Sequence, residues 1–262
     1  MRFFLFLFLL SPFAWSCERP LTINYGPYVS LLVIETFFGE FHAELEKSTG
    51  CKVDYQLHRD FETYLISLFR KEKSMTLAPS AYYQILSDSG YIQVASEKQA
   101  KHKHLHIIAR KNASIESIED LVGRRVAVIS SLSSSGSYFI EALKSRDLLS
   151  KVEIHFGGAY DTMILSVIKN EFDAAVIVQE YWKLLDQRIR DSQLKVIATL
   201  ITSPFSDFYV DNAIKRYIPE IKQAIQKMPI TWGEPSQQAA GSKLLQDLLQ
   251  KKQQQFNKAF SK

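Results

Sequence analysis

The chain has 262 residues, 46% hydrophobic and 23% charged, a composition that excludes a disordered, collagenous or coiled-coil protein. Its two cysteines exclude a disulfide-dense miniprotein and a Cys-based zinc ribbon. The net charge of +4 is scattered, a mild surplus that suits small anions and argues against a dedicated nucleic-acid binder.

Residues 1–16 read as a cleaved secretory signal: Arg2 precedes the apolar run Phe3 to Leu10, Ser11-Pro12 breaks it, and Ala14 and Ser16 supply small residues for the peptidase. That run is far shorter than the roughly 20 residues of a membrane span, and no later segment is apolar enough to be one. The mature chain is expected to be exported. Cys17 has three readings. It pairs with Cys51, the favoured one in an exported chain; it carries a lipid anchor, against the poor lipoprotein signal Ala14-Trp15-Ser16; or both thiols stay free.

From residue 20 strands and helices alternate. Leu21 to Tyr25 is a predicted strand, Ser30 to Lys47 a helix stopped by Ser48-Thr49-Gly50, and Lys52 to Leu57 a strand. Asp60 caps a helix through Phe69. Met75 to Leu77 is a strand, Ser80 to Ser87 a short helix, and Gly90 to Val94 a strand. Next come a strand at Leu105 to Ala109, a short helix between Asn112 and Gly123, a buried strand at Val126 to Ile129 and a helix from Ser135 to Leu149. Val152 to Phe156, Thr162 to Lys169, Ala174 to Val178, Glu180 to Arg188 and Leu194 to Leu200 continue the alternation. The remainder reads as helical, with Lys215 to Lys227 and Gly241 to Phe260.

Repeated strand–helix–strand units imply parallel sheets covered by helices. The pattern predicts an α/β protein of two lobes, one from residues 17–105 with 200–262 and the other from 106–199, with a ligand cleft between them. No internal repeat is visible, and the Gln/Lys-rich stretch Lys251 to Gln255 reads as a solvated helix face.

The most informative segment is Val126 to Tyr138, VAVISSLSSSGSY, where a buried strand runs into serines and then a helix. Ser133, Ser134, Ser135 and Gly136 fall at the helix N-terminus, where unpaired N–H groups and the dipole attract a phosphate-like or carboxylate group. An ordinary Ser-rich cap has the same spacing. No Lys follows the glycine as in a nucleotide-binding P-loop. Tyr160, after Gly157-Gly158, is placed to point into the cleft, with Asp161 capping the next helix. Ser80 and Tyr82 in Ala78-Pro79-Ser80-Ala81-Tyr82-Tyr83, and Tyr25 in Asn24-Tyr25-Gly26-Pro27-Tyr28, lie at strand ends, where open α/β sheets bind ligands.

In order, these motifs resemble the periplasmic phosphonate/phosphate-binding proteins of ABC transporters, the PhnD-like family, over about residues 20 to 210. The family's Gly-Pro-x-x-Tyr is similar to Ala78-Pro79-Ser80-Ala81-Tyr82, and its Ser-x-Ser-Gly to Ser133-Ser134-Ser135-Gly136. Its Gly-x-His-Asp with a later Asp-Ala-Ala is similar to Gly158-Ala159-Tyr160-Asp161 with Asp173-Ala174-Ala175, and a late Ser-Pro turn to Ser203-Pro204-Phe205. The resemblance implies a type II periplasmic-binding-protein fold that captures a small phosphate, phosphite or phosphonate-type anion for an ABC permease in the inner membrane, without cofactor or metal, as a monomer. Tyr82, Ser133, Ser134 and Ser135 inherit the ligand contacts. Three departures put an aminophosphonate, and with it a phosphonate of any kind, in question: the family His is Tyr160 here, the Asp-Pro that often opens the serine motif is Ser130-Ser131, and acidic residues for a ligand amine are placed only loosely, near Glu180 or Asp207.

Two competing readings remain at this level. An enzyme lacks support, since no Gly-x-Ser-x-Gly elbow or placed carboxylate pair occurs. His102, His104 and His106 share one strand face, a spacing able to hold zinc or copper, although the flanking Lys101 and Lys103 suit a solvated segment better. His155 reads as a satisfied strand residue. A periplasmic ligand-sensing protein that signals to a membrane receptor is the alternative function, separable by whether a permease or a sensor is encoded nearby.

Overall fold

The computed structural model describes residues 17, 19–28, 30–72, 74–98, 103–202, 206–228, 231–237 and 242–260. The expected signal segment, His102 and the Ser203-Pro204-Phe205 turn lie outside the described residues. In chain order, β1 (Leu21–Tyr25) leads to α1 (Leu31–Thr49), β2 (Val53–Leu57), α2 (Phe61–Phe69), β3 (Met75–Ala78), a 3-10 turn at Ser80–Tyr82, α3 (Tyr83–Asp88) and β4 (Tyr91–Glu97). Then follow β5 (Lys103–Arg110), β6 (Arg125–Val128), α4 (Ser134–Lys144), β7 (Glu153–Phe156), α5 (Tyr160–Ile168), β8 (Ala174–Val178), α6 (Gln179–Leu184), α7 (Gln187–Gln193) and β9 (Leu194–Thr202). The chain closes with β10 (Asp207–Asp211), α8 (Ile218–Ile225), β11 (Trp232–Gly233) and α9 (Lys243–Phe260).

Local chemistry sets these bounds. Gly50 ends α1 in the left-handed region, φ 67°, and its N–H returns to the Glu46 carbonyl. Asp60 caps α2 by accepting from the Thr63 N–H at 2.8 Å. Between residues 112 and 118 the expected helix is replaced by a loop, and only Glu119–Leu121 form a 3-10 turn. The Asp120 carboxylate there accepts from the N–H groups of Glu116 and Ser117 and the Ser117 hydroxyl, a local alternative to helical bonding. The single helix expected over 180–188 is two, because the backbone extends at Leu185 and Asp186 caps α7. Helix α4 stops at Lys144, short of the expected Leu149, and Asp147 takes φ 54° beyond it.

Among the described residues eleven strands form two mixed sheets rather than parallel ones. The first has the order β11-β4-β10-β3-β1-β2 and the second β7-β6-β8-β5-β9. β1 runs parallel to β2 and β3, and β6 parallel to β7 and β8, whereas β10 is antiparallel to both its neighbours and β5 to both of its own. β10 is the main departure from the sequence reading, which made everything after residue 200 helical; it is a fully buried inner strand. The chain passes from the first sheet to the second between Glu97 and Lys103 and returns between Thr202 and Asp207.

Each sheet has its own core. Leu21, Ile23 and Tyr25 from β1 pack with Ile34, Phe38, Phe41 and Leu45 of α1, a stripe at helical spacing, and with Ile221 and Ile225 of α8. Phe41 is fully buried, which contributes about 2–3 kcal/mol of transfer free energy. In the second lobe Val126 and Val128 meet Phe139 and Leu143 of α4. A third core lies across the seam, joining Tyr64, Tyr82 and Ile85 of the first lobe to Ile129, Leu132, Tyr160 and Ile164 of the second, with Leu245 and Leu249 of α9. A disulfide joins Cys17 to Cys51, with Cα atoms 5.0 Å apart, at the starts of the paired strands β1 and β2. A sulfur in this bond is not open to lipid attachment. Among the described residues no helix is long and apolar enough to cross a membrane.

Candidate functional site

Parallel strands aim their carboxyl ends at one place in each lobe, and the loops there meet across the seam. β6 delivers the serine segment, β7 delivers Tyr160, and β8 delivers α6 with Tyr181. From the other lobe β1 delivers Tyr28 and β3 delivers Ser80 and Tyr82.

Ser133 is the N-cap of α4. Its Oγ accepts from the Gly136 N–H at 3.0 Å, donates to the Ser130 carbonyl at 2.7 Å and lies 3.2 Å from Ser135 Oγ. Ser134, Ser135 and Gly136 occupy the first turn, where N–H groups have no intrahelical acceptor and the dipole is positive. Gly136 is required here, because a Cβ would come within 1.9 Å of the Ser130 carbonyl oxygen. All four residues are buried. The cap and the anion-site readings of this segment therefore describe one arrangement: Ser133 is engaged in capping, and the buried Ser135 hydroxyl meets both Ser133 and Tyr160.

Three tyrosines close over this turn. Tyr160 begins α5 and donates to Ser135 Oγ at 3.1 Å. Tyr82 reaches across the seam and donates to the Leu132 carbonyl at 2.7 Å. The Tyr181 ring lies 4.7 Å from that of Tyr160, and its buried hydroxyl has no hydrogen-bond partner. Burial raises the pKa of Tyr82, Tyr160 and Tyr181 well above that of a free phenol, so they stand as neutral donors.

Two of the expected site residues are placed differently. Tyr25 is a correction: its hydroxyl pairs with His42 Nε2 at 2.8 Å and its ring packs on Phe38, so it points under the sheet toward α1 and away from the seam. It shares a strand face with Leu21 and Ile23, and this alternation was the available signal. Tyr28, not selected from the sequence, takes the position instead. Its ring packs near Phe61, its hydroxyl donates to the Leu77 carbonyl, and burial first, then the nearby Tyr160, raises its pKa. Ser80 is at the seam, but its hydroxyl bonds Asp207 rather than forming a free anion cap. Asp161 is in the first turn of α5, exposed, and accepts from the Thr162 N–H; Ala159 is the N-cap.

Asp207, at the first residue of β10, is 1% exposed and faces Ser80. Burial raises its carboxyl pKa, against donors from Ser96, Tyr209, Ser80 and Gln93 that lower it. The Tyr209 hydroxyl lies 3.1 Å from Oδ2. Two histidines of β5 have partners of their own: His104 meets Gln179 and His106 meets Thr199. His155 pairs with Glu153 at 2.6 Å. Among the described residues no group of three or more His, Cys, Asp or Glu could hold a metal ion.

Residues 24–260 match the family model described as ABC transporter, phosphonate, periplasmic substrate-binding protein. Among solved structures the chain is similar to PhnD1 from Prochlorococcus marinus in complex with methylphosphonate (17% identity, TM-score 0.71, covering 93% of this chain and 98% of that one). It is also similar to a binding-protein component of an ABC phosphonate transporter from Pseudomonas aeruginosa (18% identity, TM-score 0.67, covering 92% and 90%). A Xanthomonas citri protein bound to ATP is a more distant likeness, at 12% identity and a TM-score of 0.59 over 93% of this chain and 100% of that one. No curated protein matches by sequence. At these identities the likeness is one of fold, the type II periplasmic-binding fold of two α/β lobes.

Proposed function

The chain belongs to the family of periplasmic substrate-binding proteins of phosphonate ABC transporters, and from that premise we propose that its cleft captures a small phosphorus oxyanion bearing no charged amine. A member of this family is a binding protein and not an enzyme, and it works with an ABC permease.

The observation that carries the ligand reading is the first turn of α4, capped by Ser133 and faced by Tyr160 and Tyr82. Backbone N–H groups, serine hydroxyls and neutral phenols are donors suited to tetrahedral oxyanion oxygens, and burial strengthens each such bond. The phenol at Tyr160 replaces a cationic contact with a neutral one. The carboxyl of Asp207 is engaged by four donors from its own chain and shifted by burial toward its neutral form. A ligand ammonium would have to displace those donors to use it. Methylphosphonate, phosphite and phosphate fit this chemistry better than an aminophosphonate. Contacts from both lobes to one ligand favour the closed arrangement, which is the form a permease distinguishes from the open one.

Calorimetric titration of refolded, ligand-stripped protein tests this. Phosphate, phosphite, methylphosphonate, an aminophosphonate, sulfate and carboxylates form the panel. Micromolar or tighter binding is expected for an amine-free phosphorus oxyanion. The double variant Ser133→Ala with Ser135→Ala removes the cap that shapes the α4 turn and the hydroxyl that Tyr160 meets, and is expected to weaken binding by about 2–4 kcal/mol. An unchanged affinity in that variant would remove the serine turn from the site. Preference for the aminophosphonate would reject the role given to Asp207.

A further inference from the structure

Helix α9 lies across the seam, and its two halves are held by different lobes. Its C-terminal half belongs to the first lobe: Lys252 Nζ contacts Glu62 of α2 at 2.7 Å, and the rings of Phe256 and Phe69 are 5.2 Å apart. Its N-terminus is held by the second lobe. Glu141 Oε1, on α4, accepts from the Ser242 hydroxyl at 2.7 Å and from the Leu244 N–H at 3.1 Å. Ser242 Oγ in turn accepts from the Leu245 N–H at 3.3 Å. One carboxylate from a different lobe thus accepts from one N–H of the helix N-terminus and orients the serine that accepts from the next, at the positive end of that helix. Between the two anchors, Leu245 and Leu249 are fully buried in the core that spans the seam.

Glu141 is on the same helix as the serine turn, seven residues after Ser134, and two turns of helix bring both onto about the same face. Helices move as rigid bodies, so a rotation that opens the seam displaces Glu141 and the serine turn together, while Glu62 and Phe69 hold α9 on the first lobe. A rotation of that kind would part Glu141 from Ser242 and Leu244.

We propose that Glu141 is a positioning residue for ligand capture: it caps α9 only in the closed arrangement, so that α9 acts as a strap which adds to closure without touching ligand. The proposal rests on the hinge-closure reading above.

The test compares the full mature protein with Glu141→Ala and Glu141→Gln, without ligand and with methylphosphonate. Three quantities are read: deuterium exchange of residues 242–249, radius of gyration by X-ray scattering, and Kd by calorimetry. In Glu141→Ala, residues 242–249 are expected to lose protection in the compact state. The radius of gyration should shift toward the open value, and methylphosphonate should bind about tenfold more weakly. Glu141→Gln keeps an acceptor oxygen and should recover part of each change. Lost protection with both radius and Kd at wild-type values would reduce Glu141 to a plain helix cap, and unchanged protection would overturn the contact itself; either result rejects the strap. Absence of methylphosphonate binding in the wild type would count against the ligand reading instead, and exchange and radius without ligand would still decide the strap.

Discussion

At Asp207 burial and hydrogen bonding oppose each other, and burial is the larger effect. A raised native pKa has a definite sign in stability. Below about pH 4 the carboxyl is protonated in both folded and unfolded chains; above that the unfolded chain ionises first, and the native state loses relative stability until its own carboxyl ionises. Asp207→Asn does not titrate. The stability of the wild type relative to this variant should therefore fall as pH rises from about 4 and level off above the native pKa, as read from urea midpoints over pH 3 to 8. A difference that is flat or rises with pH contradicts the assignment. The sequence placed Asp207 only loosely, because its importance comes from donors on two other segments, Ser80 and the β4 residues Gln93 and Ser96, together with Tyr209 on its own strand. Tyr25 and Tyr28 show what was legible. Two-residue alternation already put Tyr25 with Leu21 and Ile23, whereas Tyr28 lies beyond the Gly26-Pro27 turn, where no periodicity reaches. A Cβ on Gly26 would meet the Tyr28 ring at 2.2 Å, so the glycine makes room for the ring.

Caps and breakers made most elements readable. Asp60, Gly50 and the Ser133 turn act where their chemistry predicts, because each bond closes within four residues. β10 escaped for the opposite reason. Its apolar stretch is only Phe208, Tyr209 and Val210 between two aspartates, and its stability comes from neighbours more than a hundred residues away in sequence. The loop before Glu119 escaped because the Asp120 side chain outcompetes helical bonding. The Cys17–Cys51 bond belongs to this scale as well, tying the starts of two paired strands across 34 residues of sequence. Reducing it should cost about 3–4 kcal/mol in the loop-entropy model, seen as a lower urea midpoint with reductant. An unchanged midpoint would show that the segment before β1 adds nothing to the lobe.

The two-lobed design followed from the alternation of elements, but sheet direction did not, since an apolar strand reads the same whichever way its neighbour runs. The seam is equally silent in sequence. Tyr82 and Leu132 are 50 residues apart, and their bond exists only when the lobes meet. Tyr82→Phe removes that bond and keeps the ring. It should weaken ligand binding about fivefold, from roughly 1 kcal/mol, while each lobe keeps its own core. Equal affinities by calorimetry would mean that the bond is present in the open protein as well.

The placement of β10 also governs the order in which this molecule can be completed. Residues 103–202 build their sheet from one uninterrupted stretch, but β3 and β4 stay unpaired with each other until β10 arrives between them. During refolding, pulse-labelled amides of β6 and β8 should gain protection before those of β4; simultaneous or reversed protection would contradict this. In a chain made amino end first, the earliest-made lobe is thus the last to be finished. Until residue 211 has emerged it presents open strand edges to its surroundings, the condition under which a nascent protein is most exposed to aggregation.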